Sequence, residues 1–137
     1  PWLKARFKKF IDAALAYQHS SGTWYQVTDL GSRKGNYLEA SGTTMLTYAM
    51  AKGASLKLLP AQYKAYAEKG FAGLLDQMIS VNPDTNVISL EQVCAVAGLG
   101  GNPYRDGSFD YYMSEPIRAN DAKGVGPFIL AAHYLNK

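Results

Sequence analysis

An all-α fold built from helical hairpins is what this sequence predicts, and three observations predict it. Apolar residues recur at helical spacing through three long segments, and an apolar helix closes the chain. The one β-rich stretch, Val87 to Val96, is short enough to be a hairpin on a loop and not a sheet core. The segments are joined by polar, aromatic and glycine-rich loops, the layout of an α/α toroid, where the loops at one end form a pocket.

The first helix spans Pro1 to about Tyr17, with Leu3, Phe7, Phe10, Ala14 and Tyr17 on one stripe and Lys4, Lys8 and Asp12 off it. Pro1 suits a first helical turn, and His19-Ser-Ser-Gly22 ends the helix. Trp24 to Val27 runs extended, and Gly31, Gly35 and Asn36 make a turn-rich loop. A second helix covers about Leu38 to Ala51, with Leu38, Met45, Leu46 and Ala49 inward and Lys52-Gly53 as its stop signal. Its threonines and Gly42 have low helix propensity, so packing must hold it. A third helix starts at Pro60 and carries Tyr63, Ala67, Phe71, Leu74 and Met78. Gly70 and Gly73, one turn apart, allow a neighbouring backbone to approach. Asn82-Pro83-Asp84 ends it. Gly98 to Gly107 is loop, and Phe109 to Ser114 a short helix stopped before Pro116. Pro127 opens the last helix, which is apolar on nearly every side and therefore expected to be buried.

At 137 residues the chain is one domain, residues 1–137, with no linker or low-complexity tract. Hydrophobic residues at 47% against 18% charged exclude a disordered chain. The net charge of +3 is mild, and no basic stripe with interleaved aromatics is present, which argues against nucleic acid. No apolar run approaches the roughly 18 residues of a membrane span. The single cysteine, Cys94, permits no internal disulfide and reads as a small buried hydrophobe. His19 and His133 are isolated, no metal-ligand spacing occurs, and no cofactor is implied.

Two loops carry the chemistry. Gly22-Thr-Trp-Tyr-Gln-Val-Thr-Asp29 followed by Asn36-Tyr-Leu-Glu-Ala-Ser41 strings an indole, an amide, carboxylates and a hydroxyl along one path. Trp24 reads as a stacking platform for a sugar ring, or else as a core plug. Gln26 and Asp29 supply polar groups for sugar hydroxyls, although Asp29 could equally cap the Gly31 turn. Glu39 and Ser41 stand at a helix start, where capping is the alternative to ligand binding. Asn120 to Gly126 could form a nest of backbone N–H groups, with Lys123 and Gly124 receiving a carboxylate; a tight turn capped by Asp121 is the alternative.

The series Gly-x-Trp-Tyr-Gln-Val-x-Asp, Asn-Tyr-Leu-Glu-x-Ser-Gly, Ala-Lys-Gly, Val-Cys-x-Val-Ala-Gly-Leu-Gly and Asn-Asp-x-Lys-Gly-Val-Gly-Pro-Phe resembles the C-terminal part of glycosyl hydrolase family 105. The likeness runs in order from Pro1 to the end. It implies an (α/α)6 toroid of the six-hairpin glycosidases and an unsaturated rhamnogalacturonyl hydrolase activity, related to that of the unsaturated glucuronyl hydrolases. The implied substrates are pectin or other polysaccharide-lyase products with a 4,5-unsaturated uronic acid at the non-reducing end; the sequence leaves the compartment open, bacterial cytoplasm or periplasm. The implied chemistry is protonation of C4=C5 by an aspartic acid and addition of water at C5. The resulting hemiketal then collapses and releases the next sugar.

The family's catalytic aspartate and its Trp/Arg/Gly-rich substrate motif have no counterpart here, and Asp29 does not fill the place. Twelve helices with their loops need roughly 350 residues. The chain, which opens on Pro1-Trp2 without an initiator Met, is therefore expected to be part of the ring, lacking the acid and inactive alone. Its partners would be an unsaturated uronate oligosaccharide and the missing half, or a second copy through the terminal helices. The alternative is a non-catalytic carbohydrate-binding or interaction remnant.

Overall fold

The computed structural model describes residues 2–137; the helix-opening role expected of Pro1 lies outside them. Helix α1 runs Trp2–Leu15, α2 Ala40–Ser55, α3 Tyr63–Gln77, α4 Phe109–Ser114 and α5 Ala122–Leu135. Two small antiparallel ladders complete the described elements. Strand β1, Ile79–Val81, pairs with β2, Ile88–Leu90, and β3, Val93–Cys94, pairs with β4, Ile117–Arg118. No described helix is long and apolar enough to cross a membrane.

Helix α2 is the axis of the packing, with α3 and α5 against it and α1 leaning on it more lightly. It tolerates poor helix formers because its small residues admit close neighbours. Thr43, Thr44 and Thr47 are fully buried, and a Cβ on Gly70 of α3 would meet the Thr47 hydroxyl. Two of the hydroxyls bond back along the helix, Thr43 Oγ1 to Glu39 O at 2.6 Å and Thr44 Oγ1 to Ser41 O at 2.9 Å. Gly73 answers the Ser21–Thr23 turn in the same way: a Cβ there would lie 2.2 Å from Ser21 O. The core has two centres. Ile11, Trp24, Met50, Leu59, Tyr63 and Ala67 form one; Ala40, Leu74, Met78, Leu90 and Val93 form the other, beside stacked Phe71 and Phe128.

Several expectations change. Val87 to Val96 does not hairpin on itself; Gln92 sits at φ +57 and breaks the run, so β2 and β3 pair with different partners. The last helix starts at Ala122, with Asp121 as cap and Pro127 inside it, because Gly124 lets this first turn press onto Val93. That helix is not buried all round: Ile129 is 61% exposed and Leu130 41%. Met45, expected inward, is exposed, and α2 runs past Gly53 to Ser55, with left-handed Lys57 beyond its cap. Helix α4 falls on its expected residues.

Candidate functional site

The loops before α2 and before α5 meet at one end of the helices, across β3. Asn36 ties the first loop together. Its Oδ1 accepts from Val27 N at 3.2 Å and Tyr37 N at 3.1 Å, and its Nδ2 donates to Val27 O at 2.8 Å and Leu30 O at 2.9 Å. A bridge between Tyr25 and Leu38 keeps the two limbs extended, so Tyr37 and Glu39 share a side.

Glu39 caps α2 and does more than cap. Its Oε1 accepts from Ser41 N at 3.0 Å, Ser41 Oγ at 2.7 Å and Cys94 N at 2.9 Å, while Oε2 accepts from Gly42 N at 2.6 Å. This carboxylate is 5% exposed, and four donors within the fold occupy its oxygens. Cys94 is the hub that the sequence marked only as a buried hydrophobe: Gln26 Nε2 donates to its sulfur at 3.3 Å. Next along the chain, Ala95 O accepts from Lys123 Nζ at 2.9 Å, and Lys123 also pairs with Asp121 at 3.1 Å.

Gln26, Glu39, Ser41 and Lys123 are thus brought together around Cys94. Trp24, Asp29 and Gly124 are not part of the group. Trp24 is 2% exposed, packs in the core and donates Nε1–H to Ala14 O at 2.8 Å. A stacking platform needs an open ring face, so the plug reading replaces the platform. Asp29 stands exposed on a 3-10 turn, Thr28–Leu30, outside the hydrogen bonds of the group. The nest also gives way: Lys123 N donates to Asp121 Oδ1, and Gly124 N and Val125 N to Asp121 O, so the first turn of α5 uses these groups itself. Gly124 serves close packing, since a Cβ would lie 2.9 Å from Val93 Cγ2.

Tyr37 is the residue the sequence reading missed, although its alternation with Glu39 in an extended limb is a usable signal. Its hydroxyl is buried and unpartnered. Burial raises its pKa first, and Cys94, Glu39 and Glu115 push it the same way. Glu115 links this group to a cleft of about 470 Å³ beside α4. Two larger grooves, about 710 and 560 Å³, flank α1 near Leu58, at the far end of α2.

The carboxylates whose pKa departs from the ordinary value, Asp12, Asp106 and Asp121, all move down. The main causes are the Lys8 hydrogen bond at Asp12, the Ser108 backbone N–H at Asp106 and the Lys123 backbone N–H at Asp121. A general acid needs the opposite shift. Among the described residues no cluster of three or more metal-ligating side chains occurs.

The profile of Glycosyl Hydrolase Family 88 matches residues 1–137. Protein Atu3128 of Agrobacterium fabrum is 37% identical over 135 residues, covering 94% of this chain, and so is a 24.9 kDa protein in the picA locus of Rhizobium radiobacter. The chain spans 58% of the length of these relatives. Among solved structures, a family 105 glycoside hydrolase of C. acetobutylicum ATCC 824 is 46% identical with a TM-score of 0.90, over 97% of this chain and 38% of that one. A possible member of the same family from Klebsiella pneumoniae, 24% identical with a TM-score of 0.68, shares the fold over 92% of this chain and 29% of its own. The helical hairpins are part of an α/α toroid, and the chain belongs to Glycosyl Hydrolase Family 88, with its structural likeness in family 105.

Proposed function

We propose that this chain is the C-terminal portion of a glycosidase acting on 4,5-unsaturated uronyl oligosaccharides of the rhamnogalacturonan type. It forms one wall of the pocket, and the acid that protonates the double bond comes from outside residues 2–137. The observation that carries the reading is the likeness to a family 105 hydrolase over 97% of this chain but 38% of the other. The site chemistry supports it. Glu39 is saturated with donors, and the carboxylates with displaced pKa values are held ionised. What remains for a sugar is recognition: the Gln26 carbonyl, the part-exposed Lys123 ammonium and the exposed Asp29 carboxylate at the loop end.

Loss of the 4,5-double-bond absorbance of an unsaturated rhamnogalacturonyl disaccharide tests the proposal. The chain alone should bind the disaccharide and leave its absorbance unchanged. Turnover by the chain alone, abolished in Asp29→Asn, would place the acid within it and overturn the reading.

A further inference from the structure

Cationic side chains gather at the end of the helices away from the loop site. Helix α2 ends there at Ser55, α3 begins at Tyr63 and α5 ends at Leu135. A groove of about 710 Å³ runs between α1 and the α2–α3 connection, rimmed by Lys4, Lys8 and Lys57. A second, of about 240 Å³, lies between α2, α3 and α5 and is rimmed by Lys64 and Lys137. Ala54 and Ala61 line both, so the two form one trough. Among the described residues no aspartate or glutamate lines either part.

The charges are placed and mostly uncancelled. Lys4 Nζ donates to Lys57 O at 2.7 Å, and a bond to a neutral carbonyl fixes the ammonium without removing its charge. Lys137 Nζ sits 4.8 Å from the Tyr134 ring centre, where it stays a cation as well. Lys8 is paired, with Asp12 at 2.7 Å; Lys4, Lys57, Lys64 and Lys137 form no ion pair among the described residues. Like charges along one walled trough focus a positive potential on it. The trough is not the open apolar side of α1, since Lys8 and Phe10 fall on opposite sides of buried Ile11 on the helix. Its floor is built from the small residues Ala54, Pro60 and Ala61, which offer no socket for the side-chain anchor of a folded partner.

We propose that this trough holds an extended, saturated polyuronate chain, with its carboxylates on the lysine ammoniums and its rings over the Ala54, Pro60 and Ala61 floor. The inference rests on the reading that the protein handles uronyl oligosaccharides. It adds a holding surface at the opposite end of the helices from the loop site. A polyuronate carries one carboxylate on every ring, so it engages cations spread along a trough, which a single charged sugar cannot do. Lysines suit this as flexible point charges, each contact weak and sensitive to salt.

NMR titration of the full chain with hexagalacturonate tests the proposal, with maltohexaose as the uncharged chain and oligoglutamate as the acidic peptide. Hexagalacturonate should move resonances of residues 4–8, 54–64 and 134–137, and maltohexaose should leave them in place. Raising salt from about 0.1 M to about 1 M cuts the screening length from roughly 10 to roughly 3 Å and should remove the effect. Lys57→Gln with Lys64→Gln should weaken it about fivefold, and Lys57→Arg with Lys64→Arg should retain it. Both positions are exposed, so neither pair of changes disturbs the core. No movement at the trough, or an equal response to maltohexaose, overturns the proposal. An equal response to oligoglutamate also overturns it and marks a surface for acidic peptides instead. If the unsaturated rhamnogalacturonyl disaccharide moves residues 26–41 and 93–95 while hexagalacturonate moves nothing, the trough fails and the proposed function stands. If hexagalacturonate moves the trough and the disaccharide moves nothing, the trough stands and the proposed function fails.

Discussion

Thr43 and Thr47 lie one turn apart on α2, both fully buried, and the difference between them is a hydrogen bond. Thr43 Oγ1 accepts from Trp24 N at 3.0 Å and donates to Glu39 O at 2.6 Å. Thr47 Oγ1 has no partner. Valine keeps the shape of either side chain. Thr43→Val should cost about 1–3 kcal/mol because the Trp24 N–H is left buried and unpaired, whereas Thr47→Val should be neutral or stabilise by about 1 kcal/mol. Urea unfolding of the two variants measures both signs. Asp121 sets a pH dependence at this same scale. The Lys123 backbone N–H, then its side chain, lower the Asp121 pKa in the folded state. Its contribution is therefore present above the unfolded carboxylate value of about 3.9 and is lost as pH falls through the lower folded value. Thermal melts between pH 6 and 3 should fall more steeply for the parent chain than for Asp121→Asn.

At the scale of elements, close approach decides what the sequence could and could not reveal. The stripe on α3, the extent of α4 and the Gly70–Gly73 approach were legible because spacing and side-chain size carry them directly, whereas on α1 the expected stripe stands open at Leu3, Phe10 and Tyr17 and Ile11 beside it is buried. The strand pairing was not. β3 finds β4 across more than twenty residues, and its register is fixed by Glu39 and Lys123, which reach it from other elements. The start of α5 was hidden for a related reason: Lys123-Gly-Val-Gly-Pro127 has the composition of a turn, and its helix is held by packing on Val93 and Leu90. Trp24 misled because flanking glycine and polar residues suggest exposure; Gly22 instead serves the backbone of Lys69, and the indole behind it fills the core. Gln26, Glu39, Ser41 and Lys123 were singled out by residue type and the fold gathers them around Cys94, while the places of Tyr37 and Cys94 needed the fold. Gly73→Ala tests the governing contact: overpacking against Ser21 should cost about 2–3 kcal/mol in denaturant unfolding, with little loss of helix by circular dichroism.

The whole molecule shows apolar side chains on its two terminal helices. Trp2, Leu3 and Phe10 stand open on α1, and Ile129 and Leu130 on α5. Each large apolar side chain left in water forgoes about 1.5–3 kcal/mol of burial. Patches of this kind mark surfaces that pair. We predict concentration-dependent association, or a stable complex with the remainder of the ring; light scattering that finds a clean monomer at high concentration would refute it. The placement of the two tryptophans makes that event visible from inside the chain. Trp24 is sealed among Ile11, Met50 and Tyr63, whereas Trp2 lies in water beneath the Arg6 guanidinium, 5.8 Å from its ring centre. Their emissions should separate into a blue component that iodide cannot quench and a red one that it can. Association through α1 would shield the red component and leave the blue one untouched, while unfolding would open the blue component as well. Tryptophan quenching thus distinguishes assembly from loss of fold without a label.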